Sequence, residues 1–238
     1  LKLIIRGGVG VDNIDVAYAE EKGITVRNTP RASSDAVAEL ALGHMFSVAR
    51  YISAAGHTMR EGGWEKKAYK GIELAGRTVG IVGYGRIGQA LGRRCQALGM
   101  RVLAYDIYQN PDLVCDTMRY VELDELFAQS DIISLHVPSL PGQPLVNAET
   151  IAKMKDGVIL INTSRGTNVD EDALLAAIES GKVYGAGLDV FAEEPPKSAA
   201  LLQHPRVSAT PHIGASTVEA QKRIGAEIVD IISEKFGL

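Results

Sequence analysis

The sequence has few cysteines, few aromatic residues and no excess of positive charge. Its 238 residues include two cysteines, Cys95 and Cys115, which lie too far apart to suggest a disulfide framework or a metal cluster. Isolated thiols of this kind are typical of a reducing compartment. The net charge of −4 gives no indication of a basic surface for nucleic acid. We therefore predict a cytoplasmic protein without a metal centre or a nucleic-acid partner.

The sequence also lacks a long apolar run and an amino-terminal leader. No apolar stretch reaches the length of about 18 residues that crosses a bilayer, and no basic segment precedes an apolar one at the start. A membrane partner is therefore not expected. The first residues, LKLII, have the composition of a strand core. We accordingly expect that an earlier part of the fold precedes them.

Short apolar strands alternate with helical patterns along the chain. Strands are predicted at 1–6, 24–28, 77–83, 100–106, 131–138, 157–164, 183–191 and 206–212. Helices are predicted at 33–62, 86–99, 123–130, 147–155, 170–181 and 216–236. Nearly continuous apolar strands between helices predict a parallel sheet covered on both faces, which is a doubly wound α/β fold. The two leading strands are assigned to a second domain. Ser33 or Ser34 is expected to cap the long helix, and Gly62 and Gly63 to stop it.

The stretch GIVGYGRIG places Gly83, Gly85 and Gly88 in G-x-G-x-x-G spacing between a predicted strand and a predicted helix. In that setting the first glycine permits a tight turn, the second lets a pyrophosphate approach the backbone, and the third allows close helix packing. Asp106, at the end of the next strand, can accept both ribose hydroxyls of NAD and would repel the 2′-phosphate of NADP. Arg86 could pair with a phosphate, so some use of NADP stays open. A glycine turn without a ligand is the less favoured alternative.

Polar residues follow four of the predicted strands, at the edge of the sheet where open α/β folds bind ligands. These residues are His136 to Pro138, Thr163 to Arg165, Asp189 with Glu193 and Glu194, and His212. Taken singly, each has a structural alternative: a surface arginine, a helix cap or ion pair, a solvated acidic pair, or a hydrogen-bonded histidine. Their shared position favours function. His44 and His57 lie in the long helix and are interpreted as structural.

Hydride transfer is the chemistry that this set of side chains fits. A histidine can take the hydroxyl proton of an alcohol near neutral pH, and a carboxylate beside it can orient its ring. A guanidinium can bind a substrate carboxylate and polarise its carbonyl group. His212, Glu194 and Arg165 are the candidates, and Asp189 could accept a hydrogen bond from the nicotinamide carboxamide.

Several longer stretches carry a family resemblance. They include GVGVDNID, GGWEKK, IVGYGRIG, INTSRG, GAGLDVFAEEPP and TPHIGAST, in order along the chain. With them the sequence resembles the D-isomer-specific 2-hydroxyacid dehydrogenases, and most of all their 3-phosphoglycerate branch, which acts in serine biosynthesis. The resemblance implies an NAD-dependent dehydrogenase whose catalytic residues are Arg165, Glu194 and His212. A glutamate at 194 argues against formate dehydrogenases, which have glutamine there.

The same resemblance implies the binding residues and the domains. The cofactor contacts fall on Gly83, Gly85, Arg86, Ile87, Gly88, Asp106, Val137, Pro138, Thr163, Ser164, Asp189, Gly214 and Ala215. The substrate contacts fall on Val9, Gly10 and Lys66. Residues 51–213 would form the NAD-binding Rossmann domain. Residues 1–50 would form an incomplete flavodoxin-like substrate domain with its linking helix, and residues 214–238 a helix that returns to it. A homodimer is implied through the arm at 51–71, with Tyr51 and Trp64.

The substrate implied by the resemblance is a small D-2-hydroxy acid or its 2-oxo form, with 3-phosphoglycerate favoured. Lys66 matches a position associated with a substrate phosphate, whereas Ser33 and the charge of Asp35 fit a phosphate less well. Glyoxylate or hydroxypyruvate is the alternative. Two further alternatives are an NAD(H)-sensing protein similar to the family's corepressors, and a fragment that binds NAD without turnover.

Overall fold

The computed structural model describes residues 1–139 and 141–238. Its strands are β1 Leu3–Arg6, β2 Thr25–Asn28, β3 Thr78–Val82, β4 Arg101–Tyr105, β5 Met118–Tyr120, β6 Ile132–Leu135, β7 Val158–Asn162, β8 Val183–Leu188 and β9 Val207–Ala209. Its α-helices are α1 Val16–Glu21, α2 Ser34–Arg50, α3 Ile52–Arg60, α4 Arg86–Ala97, α5 Leu123–Gln129, α6 Ala148–Lys153, α7 Glu171–Glu179, α8 Ala199–Gln203 and α9 Val218–Phe236. Short 3₁₀ turns lie at Pro111–Leu113 and Gly166–Asn168.

The chain divides into two compact units. The first consists of Leu1–Val37 and Gly214–Leu238, and the second of Ala38–Ile213. The division falls inside α2. The reason is that α2 contributes Ala41, Met45 and Val48 to a core cluster of the second unit.

Across the described residues, the second unit holds a parallel sheet of seven strands in the order β5-β4-β3-β6-β7-β8-β9. Within this sheet the chain starts at β3, continues outward through β4 to β5, and returns to the other side of β3 with β6. The strand order therefore reverses between β3 and β6, and the carboxyl ends at such a point form the usual ligand crevice of an open sheet. This architecture confirms the predicted doubly wound α/β fold.

Both faces of this sheet are buried, as its nearly continuous apolar strands predict. Ile132 and Ile133 are fully buried neighbours that point to opposite faces. Ile132 belongs to a cluster with residues of α2 and α4, and Ile133 to a cluster with residues of α5, α6 and α7. Two helix layers thus enclose the sheet and hold its carboxyl edge rigid.

The first unit pairs β1 with β2 in parallel. Asp15 caps the short helix α1 between them, where its side chain accepts the Tyr18 N–H. Within this unit Arg223 Nε of α9 donates to the Ala32 carbonyl at 2.8 Å. Among the described residues, no helix is both apolar enough and long enough to cross a membrane.

The predicted helix at 33–62 is in fact two helices, because the chain breaks at Tyr51. This residue has φ 54°, in the left-handed region. The Ala49 carbonyl at the end of α2 accepts the N–H of Ile72 from the returning chain at 2.9 Å, so the helix does not continue. The Tyr51 ring lies 5.9 Å from the Tyr69 ring and 6.0 Å from the Tyr184 ring between centroids. The break occurs at a tyrosine and depends on residues distant in sequence. No glycine or proline marks it, so the sequence did not predict it.

One smaller prediction differs from the structure, and two short elements were not predicted. The Ser34 hydroxyl is buried without a hydrogen-bond partner among the described residues, so it does not cap α2. Helix α1 and the edge strand β5 were not predicted, because six and three residues are too few to show a hydrophobic period.

Candidate active site

The glycine-rich turn joins β3 to α4 at the point where the strand order reverses. Gly83 has φ 90°, and a Cβ there would lie 2.5 Å from the His136 carbonyl oxygen. A Cβ at Gly88 would lie 2.2 Å from the Gly83 carbonyl oxygen. Both positions therefore require glycine. A Cβ at Gly85, the N-cap of α4, would meet nothing within 4 Å, so this helix N-terminus opens onto free space. Arg86 beside it is exposed.

Asp106 fixes this turn from the end of β4. Its Oδ2 accepts the Tyr84 N–H at 2.7 Å, and its Oδ1 accepts the Tyr108 N–H at 2.9 Å. A carboxylate has about four acceptor positions, so each oxygen can still accept a ligand hydroxyl.

The Asn168 amide connects the loops after β6 and β7. Asn168 Nδ2 donates to the carbonyl oxygens of Val137 at 3.2 Å and Pro138 at 3.1 Å. Thr163 and Ser164 follow β7 and are buried. The Thr163 hydroxyl has no hydrogen-bond partner within the described part of the chain. A buried polar atom in that state costs free energy unless a ligand or water satisfies it.

Arg165 is held by its own loop. Asn162 Nδ2 donates to the Arg165 carbonyl at 2.9 Å, and Asn162 Oδ1 accepts the Ser164 hydroxyl at 2.8 Å. The next residue, Gly166, lies directly against the loop after β8, because a Cβ there would be 1.8 Å from the Phe191 carbonyl carbon. Gly166 therefore sets how closely the arginine loop approaches the loop that carries Glu194.

Glu194 and His212 form a hydrogen-bonded pair in this second unit. Glu194 Oε2 lies 2.8 Å from His212 Nδ1, and Glu194 Oε1 accepts the Phe191 N–H at 3.3 Å. The two side chains are 40% and 51% exposed, so solvent and small ligands can reach them. Because an ionised carboxylate can only accept, Nδ1 carries the proton of this hydrogen bond.

Asp189 at the end of β8 anchors the backbone of the histidine loop. It is 1% exposed, and its Oδ1 accepts the Ile213 N–H at 2.8 Å and the Thr210 hydroxyl at 2.6 Å. Its carbonyl accepts the His212 N–H at 2.8 Å. His212 has φ 54°, a conformation that a non-glycine residue adopts only when its surroundings impose it.

The remaining predicted residues lie apart from this group in sequence. Lys66 is exposed in the second unit and makes no hydrogen bond or ion pair with the described residues. In the first unit, the Val9 carbonyl accepts Asn28 Nδ2 at 2.6 Å, and the Ala215 carbonyl accepts Gln221 Nε2 at 3.1 Å. Gly10 is half-buried and Gly214 is buried.

Sequence reasoning missed four residues that organise the site. They are Asn162, Gly166, Asn168 and Thr210, whose contacts are given above. Asn162 and Gly166 flank motif residues in INTSRG, so their positions could have identified them as site residues. Nothing in the sequence connects Asn168 or Thr210 with its distant partner. In the described residues, no group of three or more His, Cys, Asp or Glu side chains could hold a metal ion.

Comparison with known proteins adds independent observations. A sequence model of the D-isomer specific 2-hydroxyacid dehydrogenase NAD binding domain matches residues 42–214. A hydroxypyruvate reductase of Thermotoga maritima is 53% identical over 243 residues, covering 100% of this chain and 78% of that protein. The chain belongs to the D-isomer-specific 2-hydroxyacid dehydrogenases.

Two other members of this dehydrogenase family differ in the substrate they are named for. The D-3-phosphoglycerate dehydrogenase of Methanocaldococcus jannaschii is 47% identical over 238 residues, covering 98% of this chain and 45% of that protein. The chain therefore spans less than half of that relative. The crystal structure of a glyoxylate reductase from Paecilomyes thermophila superposes with a TM-score of 0.91 and 39% identity, over 98% of this chain and 72% of that chain.

The residues of this dehydrogenase fit the NAD that its family binds. The open space above Gly85 lies at the N-terminus of a 12-residue helix, where backbone N–H groups and the helix dipole favour a pyrophosphate. Asp106 retains acceptor capacity at the end of the neighbouring strand. The unsatisfied Thr163 hydroxyl lies at the same edge of the sheet. The donors and acceptors at this edge of the sheet thus fit the NAD cofactor.

Proposed function

We propose that this dehydrogenase interconverts a small D-2-hydroxy acid and its 2-oxo acid, with His212 as the acid and base. The observation that carries this proposal is the 2.8 Å pair of His212 Nδ1 and Glu194 Oε2, held at the carboxyl edge of the sheet. NAD supplies the hydride acceptor for oxidation, and its reduced form supplies the hydride for reduction.

His212 handles the proton through Nε2. Glu194 keeps the Nδ1 proton in place, so the neutral ring presents Nε2 as an acceptor to the substrate hydroxyl. During oxidation Nε2 takes that proton, and the positive ring that forms is stabilised by the Glu194 carboxylate. During reduction the same proton returns to the carbonyl oxygen of the 2-oxo acid.

Arg165 is proposed to bind the substrate carboxylate. Asn162 and Gly166 fix its loop, and the guanidinium itself donates to the Ser164 carbonyl at 2.6 Å. The backbone N–H groups at Val9 and Gly10 of the first unit are proposed separately as substrate contacts. These assignments rest on the family resemblance and on the chemistry of the groups.

The cofactor would be held by the loops at the carboxyl ends of the strands. The N-terminus of α4 would bind the pyrophosphate, Asp106 the adenosine ribose, and Asp189 the nicotinamide carboxamide. The full proposed set is Gly83, Gly85, Arg86, Ile87, Gly88, Asp106, Val137, Pro138, Thr163, Ser164, Asp189, Gly214 and Ala215.

Hydroxypyruvate is the substrate that the comparisons favour, because the relative named for it shares 53% identity across this whole chain. 3-Phosphohydroxypyruvate, the oxidised form of the substrate that the sequence favoured, is the second candidate. The exposed Lys66 and 47% identity to a phosphoglycerate dehydrogenase support it. The acidic Asp35 in the first turn of α2 is unfavourable for a phosphate.

We propose in addition that two copies associate through the segment 51–71. Helix α3 has no buried residue, and Ile52, Met59 and Trp64 are 57%, 54% and 77% exposed. Exposed apolar side chains grouped in this way are typical of an interface. Light scattering should give the mass of a dimer, and a monomer mass would contradict this proposal.

The test of function measures NADH oxidation with hydroxypyruvate, 3-phosphohydroxypyruvate, glyoxylate and pyruvate side by side, together with NADH binding by fluorescence. We expect turnover with hydroxypyruvate and its loss in His212→Ala, with NADH affinity nearly unchanged. The matched control is His204→Ala, a histidine at the end of α8 that lies outside both the proposed site and the proposed interface. NADH binding without turnover on any acid would favour a dinucleotide sensor and contradict the proposed reaction.

A further inference from the structure

A second histidine of the same unit is linked by hydrogen bonds to the loop that carries His212. His44 on α2 is 2% exposed. Its Nδ1 lies 3.0 Å from the Ser208 hydroxyl oxygen, and its Nε2 lies 3.0 Å from the Thr210 hydroxyl oxygen. Thr210 Oγ1 in turn lies 2.6 Å from Asp189 Oδ1. A chain of hydrogen bonds therefore connects α2 to the carboxylate that anchors the histidine loop.

The carboxylate determines the direction of every bond in this chain. The Asp189 carboxylate can only accept, so the Thr210 hydroxyl donates its one proton to Oδ1. Thr210 must then accept from His44, which places the proton of the neutral ring on Nε2. Nδ1 is left as an acceptor, and the Ser208 hydroxyl donates to it. The partners thus assign a single tautomer to His44.

Two further observations agree with a neutral His44 that packs against strand β8. Burial lowers the pKa of His44, and the negative charge of Asp189 offsets this only in part. A Cβ at Gly187 would lie 2.5 Å from His44 Cβ, so β8 lacks a side chain where the histidine packs against it. Gly187 stands two residues before Asp189, which ties the ring to the same strand end.

The end of this chain is the backbone around His212. Asp189 Oδ1 accepts the Ile213 N–H, and the Asp189 carbonyl accepts the His212 N–H, both at 2.8 Å. These bonds hold His212 at φ 54°, where the left-handed conformation is otherwise unfavourable. A carboxylate that rotates away from Ile213 would release one side of this anchor.

We propose that His44 is a positioning residue for the reaction, which acts through Thr210 to hold the Asp189 carboxylate on the Ile213 N–H and so keeps the His212 ring in place. This inference rests on the proposed function of His212. It predicts that the hydrogen-bond donor at His44 Nε2 matters for turnover, and not merely the volume of the ring.

The first test compares His44→Leu, which removes the donor, with His44→Gln, whose side-chain amide offers both a donor and an acceptor. We expect His44→Leu to lower kcat for hydroxypyruvate reduction by about tenfold or more with little change in KM, because the reacting ring is misplaced after binding. His44→Gln should recover most of the loss. Thr210→Val, with Thr210→Ser as its conservative partner, tests the same bond should His44→Leu fail to fold.

The second test does not depend on turnover. Hydrogen exchange at the Ile213 amide, followed by NMR, reports whether Asp189 still accepts this N–H. We expect faster exchange in His44→Leu and Thr210→Val, and protection close to the original in His44→Gln and Thr210→Ser. A lack of turnover in the unaltered chain would contradict the proposed function, while this exchange result would still decide the role of His44.

Val48→Ala is the matched control, since Val48 is a buried residue of α2 that lies outside the hydrogen-bond chain. It should reduce stability yet leave kcat and the Ile213 amide unaffected. Unchanged protection of Ile213 in His44→Leu would overturn the proposal. An equal loss of kcat in Val48→Ala would also overturn it, because the effect would then follow from stability alone.

Discussion

Replacing Glu194 with glutamine removes the charge beside His212 while it preserves the size of the side chain and its ability to accept a hydrogen bond. The carboxylate and the ring nitrogen are 2.8 Å apart. Unit charges at that distance attract by about 1.5 kcal/mol at the dielectric of water and about 6 kcal/mol at an effective dielectric of about 20. Because the side chains are 40% and 51% exposed, solvent screening keeps the interaction at the lower end, at about 1 to 1.5 kcal/mol.

The rate of 2-oxo acid reduction should reflect this interaction, because the ring must enter that reaction protonated. A loss of about 1 to 1.5 kcal/mol corresponds to a kcat that is about five- to twelvefold lower. Glu194→Leu should cost more than Glu194→Gln, since it also removes the acceptor that orients Nδ1. The measurement is steady-state NADH oxidation, with NADH affinity measured by fluorescence as a check on folding.

The neighbouring glutamate provides the control. Glu193 pairs with Lys197 at 2.7 Å on the surface, with side chains 60% and 79% exposed. Glu193→Gln should therefore leave kcat within about twofold of the original, because exposed pairs contribute little. A Glu194→Gln variant as active as Glu193→Gln would refute the assignment of Glu194 as the partner of the catalytic ring.

Three other predictions follow from single contacts. Asp106→Ala should weaken NADH binding more than NADPH binding, which fluorescence titration with each cofactor measures; an unchanged preference would reject the ribose contact. Gly166→Ala should destabilise the fold by about 1 to 3 kcal/mol or more in urea unfolding and lower kcat, because its Cβ would lie 1.8 Å from the Phe191 carbonyl carbon; Gly43→Ala, where a Cβ meets nothing within 4 Å, is the control and should not destabilise. Burial lowers the pKa of His136 from 6.5 to about 4. The folded state therefore binds fewer protons than the unfolded state between these values, and the free energy of unfolding should fall by up to about 3 kcal/mol as the pH drops through that window. His136→Gln should flatten this part of the unfolding profile, and an unchanged slope would contradict the assignment.

The sequence was sufficient for the layered architecture and for the ends of most strands. Apolar runs such as VILIN at 158–162 and the helical periods between them specify a covered parallel sheet without reference to distant residues. The glycine turn was predictable for the same reason, because Gly83, Gly85 and Gly88 act within a few residues of one another.

Contacts between distant parts of the chain account for what the sequence did not show. The long helix breaks at Tyr51 because the Ile72 N–H donates to the Ala49 carbonyl, and no residue near Tyr51 in the sequence indicates this hydrogen bond. The division between the two units falls within α2, because burial of Met45 and its neighbours in the second core decides it.

The same distinction between local pattern and distant contact applies to the proposed active site. By itself, the sequence determined which residues we propose for the chemistry: His212, Glu194, Arg165 and the glycine turn stand in local motifs whose residue types match the proposed tasks. Only the tertiary structure decided how His212 is held, through Asp189 at the end of β8 and His44 on α2. Hydrogen-bond direction and backbone strain depend on atoms that meet in space, and a linear pattern of residues does not encode which of them will meet.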